Sequence, residues 1–122
     1  MTENNPIEGQ VLVLTAAKAS VGGRRVPDLV AEARRELEPR TEEFRRLYEC
    51  VHEDEVRAVF LVPEGFWSEV ADDLGWTDRE RDAVARAHDE QLLRIGRRED
   101  REAEFEAALE VRDAVVVGAS ER

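Results

Sequence analysis

Residues 7–19, IEGQVLVLTAAKA, decide the architecture, because their centre Val11-Leu12-Val13-Leu14 is apolar at every position and runs on into Thr15-Ala16-Ala17. A run with no polar side is expected to be buried all round. As a strand it would be a central one, and as a helix it would be the interior member of a bundle. The alanine-rich tail, with Gly22-Gly23 beyond it, points to a helix with a glycine stop. That choice gives a mainly α, single-domain helical bundle of about five helices with a small β-hairpin near residues 48–62. The strand choice gives an α+β fold in which residues 11–14, 56–62 and 114–117 form a three-stranded sheet.

Outward from this segment the periodicity is clearer. Pro27 suits a first helical turn, and Leu29, Val30, Ala33 and Leu37 recur three or four apart. Pro39 should end or kink that helix, yet Val30, Leu37, Phe44 and Val51 stay in phase across it, so the spacing predicts a kinked continuation. Residues 56–62, VRAVFLV, are rich in β-branched and aromatic side chains and stop at Pro63-Glu64-Gly65, the strongest strand signal in the chain. Glu53-Asp54-Glu55 is then an acidic turn from a preceding short strand. Phe66, Trp67, Val70, Ala71 and Leu74 give a helix closed by Gly75. Thr77-x-x-Glu80 is a capping box that opens another helix, with Val84, Ala87, His88, Gln91, Leu92 and Ile95 inside and Gly96 as its expected C-cap. Residues 97–101 read as a charged connector, and a last helix runs through Phe105, Ala108, Leu109 and Arg112. Residues 114–117 fit either its continuation or a terminal strand.

The 122 residues should form one domain, with 1–6 and 118–122 as flexible ends. The N-terminal residues lack the basic region and long apolar stretch of a secretory signal, no window is apolar enough to span a membrane, and the single cysteine, Cys50, excludes an internal disulfide. These features predict a cytoplasmic protein with no membrane partner.

Twenty-nine carboxylates face eighteen basic residues, a net charge of −11, and only Lys18 of those eighteen is a lysine. An acidic surface repels itself, and molar salt relieves that repulsion by shrinking the Debye length from about 8 Å to about 3 Å. Arginine, weakly hydrated and able to pair bidentately with carboxylates, suits such a surface better than lysine. A GC-rich genome also favours arginine over lysine, but does not account for eleven excess acids. Across the whole chain this composition resembles that of the small acidic proteins of halophilic archaea. The resemblance implies a salt-rich cytoplasm and carries over no site.

No motif points to catalysis or to a cofactor, so the expectation is a non-enzymatic binding or adaptor protein acting through an aromatic surface or as a homo-oligomer. Phe66, Trp67 and Trp76, crowded around Pro63-Glu64-Gly65, are the candidate partner-binding residues, with a core end-plug as the alternative role. Glu49, Cys50, His52 and His88 are the candidate metal ligands. Glu49-x-x-His52 has di-iron spacing, and thiolate with imidazole suits zinc, but the second Glu-x-x-His copy and the paired spacings of zinc sites are missing. Without a metal, Cys50 reads as a small core residue and both histidines as surface or boundary groups hydrogen-bonded to neighbouring acids. The stretch around Gly75 superficially resembles a helix-turn-helix, which would make the chain a transcription-associated regulator touching phosphates through Arg79, Arg81 and Arg86. Asp78, Glu80 and Asp82 would face the same phosphates, so nucleic acid is the less expected partner. Gly22-Gly23-Arg24-Arg25 lacks the spacing and Lys-Ser/Thr end of a phosphate loop.

Overall fold

A computed structural model describes residues 5–19, 21 and 25–119. Helix α1 (Gly9–Lys18) is followed by α2 (Arg25–Leu37), a 3-10 turn (Glu38–Arg40) and α3 (Thr41–Leu47). Strands β1 (Glu49–Glu53) and β2 (Arg57–Pro63) come next, then α4 (Phe66–Leu74), α5 (Asp78–Glu99), α6 (Glu102–Leu109) and β3 (Arg112–Gly118). The mainly α chain with a small hairpin is therefore right in outline. Residues 114–117 are strand, so the hairpin gains a third member, and the sheet runs β1-β2-β3, antiparallel throughout. A three-stranded sheet does exist, but residues 11–14 are helix and β1 takes the place that they would have filled.

β2 is the central strand and is buried along all but its last residue. Its alternation divides two cores. Val59 and Leu61, with Ala114, Val116 and Val51, face Ile7, Val11 of α1, Leu92 and Ile95 of α5, and Phe105 of α6. Ala58, Phe60 and Val62, with Val115 and Val117, face Leu29, Ala33 and Leu37 of α2, Phe44 of α3, and Phe66, Trp67 and Val70 of α4. A sheet covered on both faces needs a central strand without a polar side, which is why β2 reads as an uninterrupted apolar run.

Pro39 sits in the 3-10 turn between α2 and α3, the kinked continuation that the spacing predicts. Gly75 ends α4 at φ +74, and the Thr77 side chain and Glu80 form the reciprocal capping box at the start of α5. A bulge between Cys50 and His52 puts Val51 into the core. The turn into β2 is tied by Asp54, whose Oδ1 accepts from the Val56 and Arg57 amides at 2.8 and 2.9 Å.

Two expectations are corrected. First, α1 is not buried all round. Val11 and Thr15 are buried, whereas Val13 and Leu14 are 69% and 48% exposed. The helix lies as an outer layer, so only one of its sides meets protein. Second, Gly96 is not a C-cap, and residues 97–99 are not a connector. α5 runs on to Glu99, and Asp100, at φ 60, takes the left-handed cap, a conformation that Asp tolerates better than most residues. Gly96 serves contact instead, since a Cβ there would stand 2.9 Å from Phe105 Cδ2 and 3.0 Å from Glu102 Cα. The Gly22-Gly23 stop, the Gly22-Gly23-Arg24 part of the loop, and tail residues 1–4 and 120–122 lie outside the described residues. Pro6 is buried and its carbonyl accepts from Arg57 Nε at 2.7 Å, while Ala119 N–H donates to the Val56 carbonyl at 2.9 Å.

Candidate functional site

The metal candidates do not converge. Cys50 is exposed, its Sγ 3.5 Å from the His52 carbonyl, and Glu49 pairs with Arg112 at 3.1 Å. His52 lies between Asp54 (2.8 Å) and Glu99 (3.6 Å), the acidic neighbours expected of a boundary histidine. Although burial opposes it, the bonds from His52 and from the Val56 and Arg57 amides hold the Asp54 carboxyl down at about 2. His88 is in the core beside β3, two strands away from β1. Among the described residues no three His, Cys, Asp or Glu side chains gather as a metal cage. Cys50 is thus not a core residue and His88 not a surface one, because the bulge turns Val51 inward in place of Cys50 and α5 lays its His88 face against the sheet.

The aromatic candidates point inward. Trp67 is 2% exposed and Phe66 is buried, the two rings meeting edge to face with centroids 5.5 Å apart. Trp76 is half-buried and donates through Nε1 to Glu32 at 3.1 Å. Phe66 and Trp67 plug the core, and of the three only Trp76 keeps part of its ring at the surface. On α5, Arg81 is held by Asp78 and Asp82 at 3.3 and 3.0 Å, and Arg86 lines a groove of about 520 Å³ with Asp82, Asp89, Glu90, Glu106 and Glu110. The helix that would read DNA therefore presents arginines embedded among carboxylates.

Three side chains finish the outer edge of β3. Trp67 Nε1–H donates to the Ala114 carbonyl at 3.1 Å, the Val116 N–H donates to His88 Nδ1 at 2.9 Å, and the Gly118 N–H donates to Glu38 Oε2 at 2.9 Å. These bonds replace those of a fourth strand. Because Nδ1 accepts, the His88 proton sits on Nε2, and burial lowers the imidazole from 6.5 to about 3. Next to it in sequence, Asp89 is raised from 3.8 to about 7 by burial, then by the charges of Asp113 and Glu90, with Arg86 opposing. Asp113 is itself raised by burial and by Glu64, against the pull of the Gly65 and Trp67 amides at the start of α4.

Sequence reasoning missed Glu8, the anchor of α1. Its carboxylate accepts from Arg98 at 2.6 and 2.7 Å, Arg94 Nε at 3.1 Å and Gln91 Nε2 at 2.9 Å, while its own N–H donates to Gln91 Oε1 at 2.7 Å. The Arg98 bonds, against some cost of burial and with Gln91 and Arg57 adding, bring its carboxyl down to about 2. Nothing local could reveal this, since every partner lies more than eighty residues away apart from Arg57. Replacing Glu8 by Gln keeps the shape and removes the charge. About 1 kcal/mol should be lost at pH 7, after allowance for the exposed Arg98, in urea unfolding. The depressed carboxyl contributes stability above its unfolded value of 4.5 and loses it as pH falls toward about 2, so the two proteins should converge in acid. A difference independent of pH would show that the charge is not what matters.

With its N-terminus held in this way, α1 turns Val13, Leu14 and Ala17 outward along one stripe, and no charged residue lies between Gly9 and Ala17. On a chain of net charge −11 this is an apolar helical face without carboxylates, ending at the exposed Lys18. No described helix is long and apolar enough to cross a membrane. Residues 5–119 match a family model described as a domain of unknown function. No curated protein and no solved structure matches the chain.

Proposed function

The chain belongs to the DUF8048 family, and from that premise we propose a binding protein without enzymatic activity that works as a homodimer in a salt-rich cytoplasm, joined through the outer face of α1. The exposure of Val13 and Leu14 on a helix firmly held by its other side carries this reading. An apolar residue alone on a surface is ordinary; Val13 and Leu14 side by side on one exposed stripe with Ala17 are what supports a contact surface in this reading. Charge supports a second copy as the occupant. Two strongly acidic chains repel wherever their carboxylates meet, and a stripe without carboxylates lets them touch without opposing negative charges. A ten-residue helix is only about 15 Å long, so the interface is small and the dimer weak and concentration-dependent.

Sedimentation equilibrium in tens of millimolar and in molar KCl tests this. Dimer should be favoured in molar salt, which screens the long-range repulsion, and the Leu14→Glu variant should remain monomeric in both. A wild-type monomer in molar KCl at high protein concentration, or a dimer that Leu14→Glu leaves intact, would remove the proposal. The salt-rich setting has its own readout in the same buffers, a melting temperature that rises with KCl.

A further inference from the structure

Helices α5 and α6 leave between them a groove that is apolar along its floor and acidic along its rim. α6 returns beside α5 after Asp100, and Ala85, Leu93 and Leu109 form the half-buried floor of this groove of about 520 Å³. Leu93 and Leu109 are packed against the core that holds Phe105, so the floor is fixed from below. Asp82, Asp89, Glu90, Glu106 and Glu110 stand along it, with Arg86 as the one basic side chain among the described lining residues. Many of the chain's carboxylates are matched by an arginine, as Glu8 is by Arg98, Glu53 by Arg45 and Glu104 by Arg101. Asp89, Glu90, Glu106 and Glu110 have no such pair among the described residues. Burial, then the charges of Asp113 and Glu90, hold the Asp89 carboxyl up at about 7, a cost that a cation laid into the groove would relieve.

We propose that this groove docks one helix of a partner protein, apolar on the side that meets the floor and carrying arginines or lysines along its flanks. Both walls are helices whose backbone groups bond within the helix, so neither offers a strand edge and recognition falls to side chains. From Asp82 to Leu93 α5 runs about 16 Å, room for about three turns of a docked helix. Charge decides the chemistry of the occupant. Unpaired carboxylates on both walls complement a cationic flank and repel both nucleic acid and a second copy of this acidic chain. Gln91 and Arg98, which hold the segment leading into α1, project from the opposite side of α5, so the groove stands or falls independently of dimer formation.

The test is a titration of the full chain, followed by its backbone amide resonances, with a designed helical peptide of about fourteen residues that has leucines on one face and arginines on its flanks. Molar KCl is the medium, because it screens the general attraction of a polycation to an acidic chain. Saturable shifts confined to residues 82–93 and 105–111 are expected, and none with a peptide whose arginines are replaced by glutamines. Glu106→Gln combined with Glu110→Gln, both exposed, should weaken binding by about fivefold. Glu42→Gln combined with Glu55→Gln makes the same change of charge at exposed positions outside the groove and should leave the affinity unchanged. The proposal is overturned by shifts spread over the surface or absent, or by equal weakening in the two double variants. It is overturned as well if spermidine alone reproduces the shifts and displaces the peptide, which would make the groove a site for small polyamines.

Discussion

Gly96→Val should lose about 3 kcal/mol of stability, and Gly96→Ala about 1 kcal/mol in spite of alanine's better helix propensity. Two effects compete at this site. In a helix interior, Gly to Ala normally gains close to 1 kcal/mol through backbone entropy. Here the new methyl would meet Phe105 Cδ2 at 2.9 Å, and the Glu102 Cα and N at 3.0 and 3.1 Å. The aromatic ring is itself fully buried, and the Glu102 atoms are main chain at the first residue of α6, so neither can step aside without moving a helix. The clash therefore outweighs the propensity gain, and valine, with two further methyls, enlarges it. Gly9→Ala is the matched control, because a Cβ at Gly9 meets nothing within 4 Å. Urea midpoints of the three variants check the ordering. Gly96→Ala matching or exceeding the wild type would show that α6 is not held against α5 at this point.

Asp89→Asn should convert a flat pH profile into a steep one. His88 has its folded value depressed to about 3, so its contribution is intact above 6.5 and declines as pH falls, by about 1.4 kcal/mol per unit. Asp89 has its folded value raised to about 7, so its contribution is intact below 3.8 and declines as pH rises through 7. Between about pH 4.5 and 6.5 the two slopes have opposite sign and nearly cancel. Removing the carboxyl exposes the histidine alone: Asp89→Asn should lose about 3 kcal/mol over those two units while the wild type changes little. At pH 8 the variant should be the more stable by about 2 kcal/mol, a figure reduced for the partial exposure of Asp89. The groups facing Asp89 are Asp113, Glu90 and Arg86, and Asp113 titrates in the same sense. Urea unfolding at several pH values in molar KCl would show it. Parallel profiles of the two proteins would mean that Asp89 is not neutral in the native state.

The elements legible in the sequence were those specified by neighbours in the chain. The Pro39 kink, the Thr77 capping box, the Gly75 stop and the apolar run of β2 each depend on a few adjacent residues, and each stands where it was expected. What depended on distant partners was not legible. Whether residues 11–14 are covered on one side or all round is decided by α5, eighty residues on. Whether residues 114–117 continue a helix or pair with β2 is decided by an apolar strand fifty residues earlier, and the same pairing takes in Arg112, which the spacing places in the last helix. Gly96 looked like a stop because its real role is set by Phe105 on the returning helix. The candidate ligands Glu49, Cys50 and His52 were adjacent in sequence, but strand alternation and the bulge separated them. His88 showed only its helical spacing, and its bond to Val116 crosses between two elements.

The finished edge of β3 also bears on how this protein can go wrong. A sheet extends into aggregates through unpaired outer strands, and Trp67, His88 and Glu38 already occupy one outward backbone group each of β3, at Ala114, Val116 and Gly118. The remaining edge, β1, is five residues long, interrupted by a bulge and flanked by the charges of Glu49 and Glu53. Edge-to-edge growth from the native fold is thus opposed at one end by side-chain bonds and at the other by charge and irregular pairing, and at β3 it would have to displace Trp67 of α4 and His88 of α5.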